Sequence, residues 1–174
     1  ISKKTELKNI TILNNSKENE LSKLCEKYGS DKGYTDFQKD SIWPWKPHTY
    51  TNVYSSIFSH CREHVKLVFE CGIGTTNNSI PCNMSDGGKP GASLRVWRDY
   101  FNNAEIFGAD IDKDILFNEE RIKTFYVDQK KDEEINKMWK TINRSNFDLI
   151  IDDGLHDYDA AKTFFLASFE KLKK

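Results

Sequence analysis

The segment FDLIIDDGLHDYD, residues 147–159, places two carboxylates and a histidine directly after a run of apolar residues. Asp152 and Asp153 end the apolar run, and His156 follows three positions after Asp153. Because burying two adjacent acids is costly, the pattern predicts a cation or hydrogen-bond donors nearby. A carboxylate is a ligand that Mg²⁺ prefers, and a histidine titrates near neutral pH and suits a general base. The spacing therefore predicts that Asp153 and His156 share a reaction site. The alternative is that the polar groups of this segment only cap the next helix, with Asp157 or Asp159 as the N-cap.

A second candidate is the glycine pair in FECGIGT, residues 69–75. Gly72 and Gly74 stand where the first predicted strand turns, and the missing Cβ lets the backbone pass close to a ligand. The dinucleotide-binding fingerprint would need a third glycine at position 77, which is asparagine. The pair therefore predicts a ligand-facing turn, with an ordinary tight turn as the alternative.

Polar residues also end the next two predicted strands. Asp110, in FGADID, can accept hydrogen bonds from both hydroxyl groups of a ribose, although a solvated carboxylate at a strand end is the alternative. It lies further from Gly72 than the usual spacing of about 20 residues, and the long loop at 75–92 accounts for the difference. Asp128 and Gln129 end the third strand, and the same reasoning makes them candidates for contacting an adenine edge.

These residues need a scaffold that brings the strand ends together. Four compact apolar runs, at 65–72, 104–112, 121–129 and 147–154, are typical of buried parallel strands. Helical patterns occur at 18–28, 52–63, 93–101, 133–142 and 158–172. The alternation predicts an α/β fold with a Rossmann-like open sheet in three α/β/α layers, in which ligands bind at the carboxyl edge of the sheet. A further strand is expected after the last helix, so C-terminal strands are predicted to be missing from this chain.

The sequence divides into two parts at about residue 65. Residues 1–64 are predicted to form an N-terminal helical and aromatic segment, and residues 65–174 a Rossmann-like cofactor-binding domain that is C-terminally incomplete. The aromatic residues that distinguish the first part are Trp43, Trp45, Tyr50 and Tyr54. They are interpreted either as a lid over an acceptor or as side chains that pack on the flank of the sheet. Lys32 is a further candidate for the same site.

Composition limits the classes of function. The 174 residues carry a formal net charge of −1, with 37% hydrophobic and 30% charged residues, which is typical of a soluble domain with a sizeable core. No basic excess points to a nucleic-acid partner, and no apolar run reaches the roughly 20 residues of a membrane helix.

The four cysteines form no CxxC pattern, which favours reduced thiols and a cytoplasmic protein. The chain begins at Ile1 without a signal-peptide pattern, so its true N-terminus is expected to lie upstream. Homo-oligomer formation is left open.

Several motifs together resemble one enzyme family. ECGIG, GGKPGASLRVWRDYF, GADID and FDLIIDDGLHD resemble the class I S-adenosylmethionine-dependent methyltransferases, and most closely the Mg²⁺-dependent sugar O-methyltransferases of the macrocin and mycinamicin type. The upstream YGSDKGY and HTYTNVY are similar to the N-terminal segment of that family. The resemblance spans roughly residues 28 to 172, and its most specific parts are GASLRVWRDYF and DDGLH.

The resemblance implies a role for each candidate residue. The implied cofactor-binding set is Glu70, Gly72, Gly74 and Ser93 at the methionine end, Asp110 at the ribose, Asp128 and Gln129 at the adenine, and Asp152 without a more specific role. Asp153 is the implied Mg²⁺ ligand and His156 the implied general base. The family's other metal carboxylates, an adjacent Glu-Asp pair after the fifth strand, are not in this chain, and Leu155 stands where the family has Ser. These implications amount to O-methylation of a sugar or other small-molecule hydroxyl, with S-adenosylmethionine as the methyl donor and metal assistance.

Two other functions compete with this interpretation. An NAD(P)-dependent short-chain reductase or epimerase is favoured by two YxxxK patterns, Tyr158 to Lys162 and Tyr28 to Lys32, although the first turn lacks the full glycine set. A non-catalytic Rossmann fragment is favoured by the predicted absence of C-terminal strands. The HxxEH pattern at 60–64 is typical of zinc peptidases, but it has no evident third ligand and lies just before the first strand.

Overall fold

The computed structural model describes residues 19–33 and 50–174. The helices of these ranges are α1 (Glu20–Tyr28), α2 (Tyr50–Phe58), α3 (Ala92–Tyr100), α4 (Asp132–Ile142) and α5 (Tyr158–Ser168). The strands are β1 (Leu67–Cys71), β2 (Glu105–Asp110), β3 (Asn118–Glu119), β4 (Ile122–Tyr126) and β5 (Leu149–Asp152). Short 3-10 turns lie at Arg62–His64, Lys113–Ile115 and Phe169–Lys171. The predictions for residues 1–18 and 34–49, which include Trp43 and Trp45 of the lid, lie outside the described residues.

The strands form one sheet in the order β3-β4-β2-β1-β5. β1 pairs in parallel with β2 on one side and with β5 on the other, and β4 extends the parallel sheet beyond β2. β3 is a two-residue strand that runs antiparallel to β4 at the edge. The predicted Rossmann-like α/β sheet is therefore confirmed, with one strand more than the four apolar runs indicated. Both residues of β3 are exposed, so the strand has no apolar pattern by which the sequence could reveal it.

The strand order reverses beside β1. The chain builds outward from β1 through β2 to β4, and it then returns to the other side of β1 to form β5. In open α/β sheets a crevice opens at the carboxyl ends of the strands at such a point, because the connections on its two sides leave in opposite directions. Cys71 and Asp152, the last residues of β1 and β5, pair directly, so the crevice of this sheet begins between them.

Apolar layers cover both faces of the sheet. The side chains of β1 alternate, so that Val68 packs on the face covered by α1 and α3 and Phe69 on the face covered by α4 and α5. Phe69 lies 4.6 Å from Trp139 of α4 and 6.0 Å from Phe164 of α5 between ring centroids. On the opposite face, Trp97 of α3 is 1% exposed. The predicted three-layer arrangement is confirmed.

The first helix is anchored to the sheet domain through its apolar face. The Asn19 side chain accepts a hydrogen bond from the backbone N–H of Ser22 at 2.9 Å and caps the helix, which ends at Gly29 with a φ of +74°. Leu21 and Cys25 are buried in the same core as α3, and burial raises the pKa of the Cys25 thiol to about 12. The N-terminal part therefore shares a core with the sheet, and the division near residue 65 stays a prediction.

Two helices end earlier than the sequence predicted. α2 ends at Phe58 rather than at position 63, and a 3-10 turn at Arg62–His64 occupies the end of the predicted stretch. The Phe58 ring lies 5.4 Å from that of Phe101. α5 ends at Ser168, and a 3-10 turn replaces the predicted continuation to position 172. No helix within the described ranges combines the length and apolarity needed to cross a bilayer.

Candidate functional site

A cleft of about 630 Å³ lies at the carboxyl edge of the sheet, where the turns after β1, β2, β4 and β5 meet. The predicted site residues that line it are Gly72, Gly74, Ser93, Asp110, Asp128, Gln129, Asp153 and His156. Two predicted site residues do not line the cleft. Glu70 is fully buried, and the Asp152 carboxylate is hydrogen-bonded to Gln129. A cavity of this size is within the range of small-molecule and cofactor sites.

The glycine turn after β1 is held tightly between neighbouring strand ends. Gly72 and Gly74 have φ values of +83° and +88°, which side chains rarely adopt. A Cβ on Gly72 would collide with the backbone carbonyl of Asp153, and one on Gly74 with the sulfur of Met84. The turn lines the cleft, but the close packing of neighbouring protein atoms already requires glycine at both positions.

The loop between β1 and α3 folds back over this turn and forms one wall of the cleft. The Met84 N–H donates to the Thr75 carbonyl at 2.7 Å, and the Gly91 N–H donates to the Ile73 carbonyl at 2.7 Å. Cys82 and Met84 line the cleft from this loop. Ser93, the second residue of α3, is 7% exposed at the base of the same wall.

Asp110 is a rigid, largely buried carboxylate at the end of β2. Its Oδ2 accepts the Ile73 N–H at 2.8 Å, and its Oδ1 accepts the Asp112 N–H at 2.9 Å. Burial raises the pKa of this carboxyl, and the backbone donors act in the opposite direction. Because a carboxylate oxygen has more than one lone-pair direction, Asp110 can still accept hydrogen bonds from a ligand in the cleft.

Gln129 connects two strand ends instead of pointing freely into the cleft. Its Nε2 donates to the Asp152 carboxylate at 2.7 and 2.8 Å, and its Oε1 accepts the Leu155 N–H at 2.9 Å. Gln129 thus fixes the turn after β5, with Asp152 as its partner. Asp128, which also lines the cleft, forms an ion pair with Lys131 at 3.0 Å.

The turn after β5 presents Asp153 and His156 to the cleft, as the sequence predicted. The Asp153 N–H donates to the Cys71 carbonyl at 2.8 Å, which fixes the start of the turn. His156 Nε2 lies 3.8 Å from Asp153 Oδ1, and its side chain is 72% exposed. Asp157 caps α5 by accepting the Ala160 N–H at 3.1 Å, so the helix does not need the other two polar groups for capping.

Lys32 is the site residue that sequence reasoning most undervalued. Its ammonium lies 3.2 Å from Glu70 Oε1 and also hydrogen-bonds Asp153 Oδ2, although its side chain is only 7% exposed. The Trp97 indole N–H donates to the second Glu70 oxygen at 2.8 Å. Burial lowers the pKa of Lys32, but the carboxylates of Glu70 and Asp153 outweigh it and raise the pKa above its usual range. We call Lys32, Glu70 and Asp153 the buried cluster.

The position of Lys32 follows from the end of α1. Gly29 ends that helix in a left-handed conformation, and the Ser30 N–H then donates to the Cys25 carbonyl at 2.9 Å. This turn points the chain toward the carboxyl edge of the sheet, where Lys32 reaches Glu70 and Asp153. The turn-forming residues in YGSDKGY are the signal that could have indicated it.

The described residues do not complete a metal site by themselves. Across residues 19–33 and 50–174, no three or more His, Cys, Asp or Glu side chains converge in a way that could hold a metal ion, and this includes the HxxEH pattern at 60–64. Asp153 Oδ2 already has the Lys32 ammonium as its counter-ion. Asp153 therefore stays a predicted metal ligand, and the donor set described here does not fit Mg²⁺ on its own.

The two described aromatic residues of the predicted lid have different positions. Tyr50, the first residue of α2, lines the cleft. Tyr54 instead packs edge-on against Trp97, with 5.0 Å between ring centroids, and so belongs to the flank of the sheet. Both interpretations of the aromatic segment thus apply, each to one residue.

Comparison with known proteins shows which proteins this chain is similar to. No family model matches the chain. It is 30% identical over 152 residues to 8-demethyl-8-alpha-L-rhamnosyl tetracenomycin-C 2'-O-methyltransferase of Streptomyces olivaceus, with 87% of this chain and 34% of that protein covered. It is 30% identical over 126 residues to mycinamicin VI 2''-O-methyltransferase of Micromonospora griseorubida, with 72% of this chain and 29% of that protein covered. The solved structure of MycE methyltransferase with Mg, SAH and mycinamycin VI matches at 27% identity and a TM-score of 0.68, with 91% of this chain and 36% of that chain covered. These matches confirm the resemblance to the class I S-adenosylmethionine-dependent methyltransferases.

The similarity to sugar O-methyltransferases in particular is confirmed by the names of these relatives. The chain spans about a third of the length of the curated relatives it matches. None of the relatives or structures named above supports a short-chain reductase. Tyr158, from the Tyr-Lys pair at the start of α5, is 77% exposed and does not line the cleft.

Proposed function

We propose that this chain forms the cofactor-binding part of an S-adenosylmethionine-dependent O-methyltransferase that acts on a sugar or other small-molecule hydroxyl. The observation that carries the proposal is the convergence of Gly72, Asp110 and His156 on one cleft at the reversal point of the sheet. The printed names of the relatives give the reaction and the type of acceptor.

The cleft offers the groups that hold the methyl donor. S-adenosylmethionine supplies a methyl group that is already activated by a sulfonium, so the protein has mainly to align the acceptor with it. Asp110 accepts hydrogen bonds from the ribose hydroxyls, since its carboxylate is fixed by two backbone donors. The turn at Gly72 and Gly74 and the hydroxyl of Ser93 border the methionine end of the cleft.

His156 acts as the general base. The imidazole accepts the proton of the acceptor hydroxyl while that oxygen forms its bond to the methyl carbon and the sulfur–methyl bond breaks. The Asp153 carboxylate lies 3.8 Å from Nε2 of this imidazole. The exposure of His156 leaves its outer side open to an acceptor. Mg²⁺, as the resemblance implies, would be held in part by Asp153, and when bound it would lower the pKa of the acceptor hydroxyl.

The acceptor belongs to the same proposal. The relatives named above methylate sugars carried by natural products. By analogy we assign this protein a small-molecule acceptor, such as a sugar or glycan precursor, in the cytoplasm.

Cofactor binding separates this function from the reductase alternative. S-adenosylhomocysteine at about 100 times its Kd should raise the free energy of unfolding by about 2.7 kcal/mol, and hence the Tm, because it binds only the folded chain. NADH at the same concentration should leave the Tm unchanged. A thermal shift with NADH and none with S-adenosylhomocysteine would favour the reductase and overturn the proposal.

A further inference from the structure

The buried cluster holds a cation at a carboxylate where the resemblance implies Mg²⁺. Lys32 is 6% exposed and Glu70 is completely buried, so neither charge is solvated by bulk water. The ammonium bridges Glu70 Oε1, at 3.2 Å, and Asp153 Oδ2, which faces the cleft. Two carboxylates close together repel each other. A positive charge between them offsets this repulsion, as a divalent metal ion would.

The geometry leaves little room at Asp153 for both the Lys32 ammonium and a divalent metal ion. One oxygen of Asp153 is engaged by Lys32, and the other lies 3.8 Å from His156 Nε2. Glu70 Oε2 accepts the Trp97 indole N–H at 2.8 Å, so the second carboxylate is also committed. A metal ion bound to Asp153 would lie close to the Lys32 ammonium. Two positive charges that are close together repel strongly where little water separates them.

We propose that Lys32 is the resident counter-ion of this site and competes with divalent cations for the Asp153 carboxylate. Lys32 is in this sense a positioning residue, since it fixes one oxygen of Asp153 and leaves the other toward His156. The competition depends on charge balance at Asp153 and not on methyl transfer, so either proposal can fail while the other holds.

Titration of the chain with Mn²⁺, followed by the electron paramagnetic resonance signal of the free ion, tests the competition. The wild-type chain should bind Mn²⁺ weakly at this site, and Lys32→Met should bind it at least about tenfold more tightly, because a buried positive charge next to the ligand has been removed. Adding Asp153→Asn to Lys32→Met should return the affinity to that of the wild type. Lys27→Met, which removes an exposed lysine from an ion pair with Asp99, should titrate like the wild type.

A second variant keeps the test valid if Lys32→Met fails to fold. Lys32→Met combined with Glu70→Gln removes both members of the buried ion pair, keeps an acceptor for the Trp97 indole, and should also bind Mn²⁺ more tightly than the wild type. The proposal is overturned if a folded variant that lacks Lys32 gains no Mn²⁺ affinity. It is equally overturned if the gain persists after Asp153→Asn.

Discussion

The segment that includes the end of α1 makes two sets of charged contacts, one buried and one at the surface. The buried cluster joins Lys32 to Glu70 and Asp153 at the wall of the cleft. The surface network, which we define as Lys27, Tyr28, Arg98 and Asp99, joins α1 to the outer side of α3. The Lys32 side chain is 7% exposed, whereas that of Lys27 is 59% exposed.

The difference in exposure decides what each contact does. Removing one partner of a buried ion pair leaves an uncompensated charge away from water, whereas an exposed pair is screened by solvent and contributes little. The surface network therefore helps to attach α1, while the buried cluster sets the charge of the cleft. The variants below can break or sharpen this contrast.

His156→Ala should have the largest effect on activity, because it removes the proposed general base beside the buried cluster. Turnover with radiolabelled S-adenosylmethionine and an acceptor that the wild-type protein methylates should fall by about 10²–10⁴-fold, with nearly unchanged affinity for S-adenosylhomocysteine. Wild-type turnover by this variant would remove His156 from the mechanism.

Lys32→Met should be the most destabilising single change in either region. The free energy of unfolding should fall by about 3–5 kcal/mol, because the buried Glu70 carboxyl loses its counter-ion. Urea denaturation measures the loss. The combined Lys32→Met and Glu70→Gln variant should recover most of it. A loss below about 1 kcal/mol for the single variant would contradict the role assigned to this ion pair.

Asp110→Asn keeps the shape of the site but removes the charge that we assign to the ribose. Its affinity for S-adenosylhomocysteine should fall by about 10–100-fold, since hydrogen bonds to a charged acceptor are worth about 1.5–3 kcal/mol. Calorimetric titration provides the measurement. Asp114→Asn, on the exposed 3-10 turn after β2, is the matched control and should bind like the wild type. Equal affinities for the two variants would argue against Asp110 as the ribose ligand.

Asp99→Asn should have a small effect on stability with a defined pH dependence. Burial acts to raise the pKa of Asp99, but hydrogen bonds from Tyr28, Arg98 and Lys27 lower it from 3.8 to about 2. A lowered carboxyl pKa stabilises the fold above the unfolded value, and this stability is lost as the pH falls through the folded value. Because solvent screens the site, Asp99→Asn should cost about 1 kcal/mol at pH 6.

The pH dependence of the stability of Asp99→Asn is a more specific test than its cost at a single pH. Thermal unfolding should show the difference between Asp99→Asn and the wild type shrinking between pH 4 and pH 2. Lys27→Met should cost less than about 1 kcal/mol, as is usual for an exposed ion pair. A cost for Lys27→Met equal to that of Lys32→Met would erase the contrast between the two regions.

The sequence predicted those features that depend on local patterns. The apolar runs revealed four parallel strands, and the polar residues at their ends predicted a shared edge that the structure confirms for Asp110, Asp153 and His156. The resemblance to sugar O-methyltransferases rested on longer motifs in the same regions, and the comparisons confirm it.

Features that depend on tertiary contacts could not be predicted. The engagement of Gln129 with Asp152 and Leu155 requires knowing that β4 and β5 end close together in space. The burial of Lys32 depends on how α1 docks, because a lysine in a polar segment is most often solvated. The two-residue strand β3 has no pattern of its own and forms only because β4 is beside it.

A co-crystal structure with S-adenosylhomocysteine tests the central claim most directly. The account predicts the ligand in the cleft, with both ribose hydroxyls within about 3.2 Å of the Asp110 carboxylate and its sulfur on the side of His156. Binding elsewhere on the chain, or a bound ligand that leaves Asp110 without contact, would contradict it.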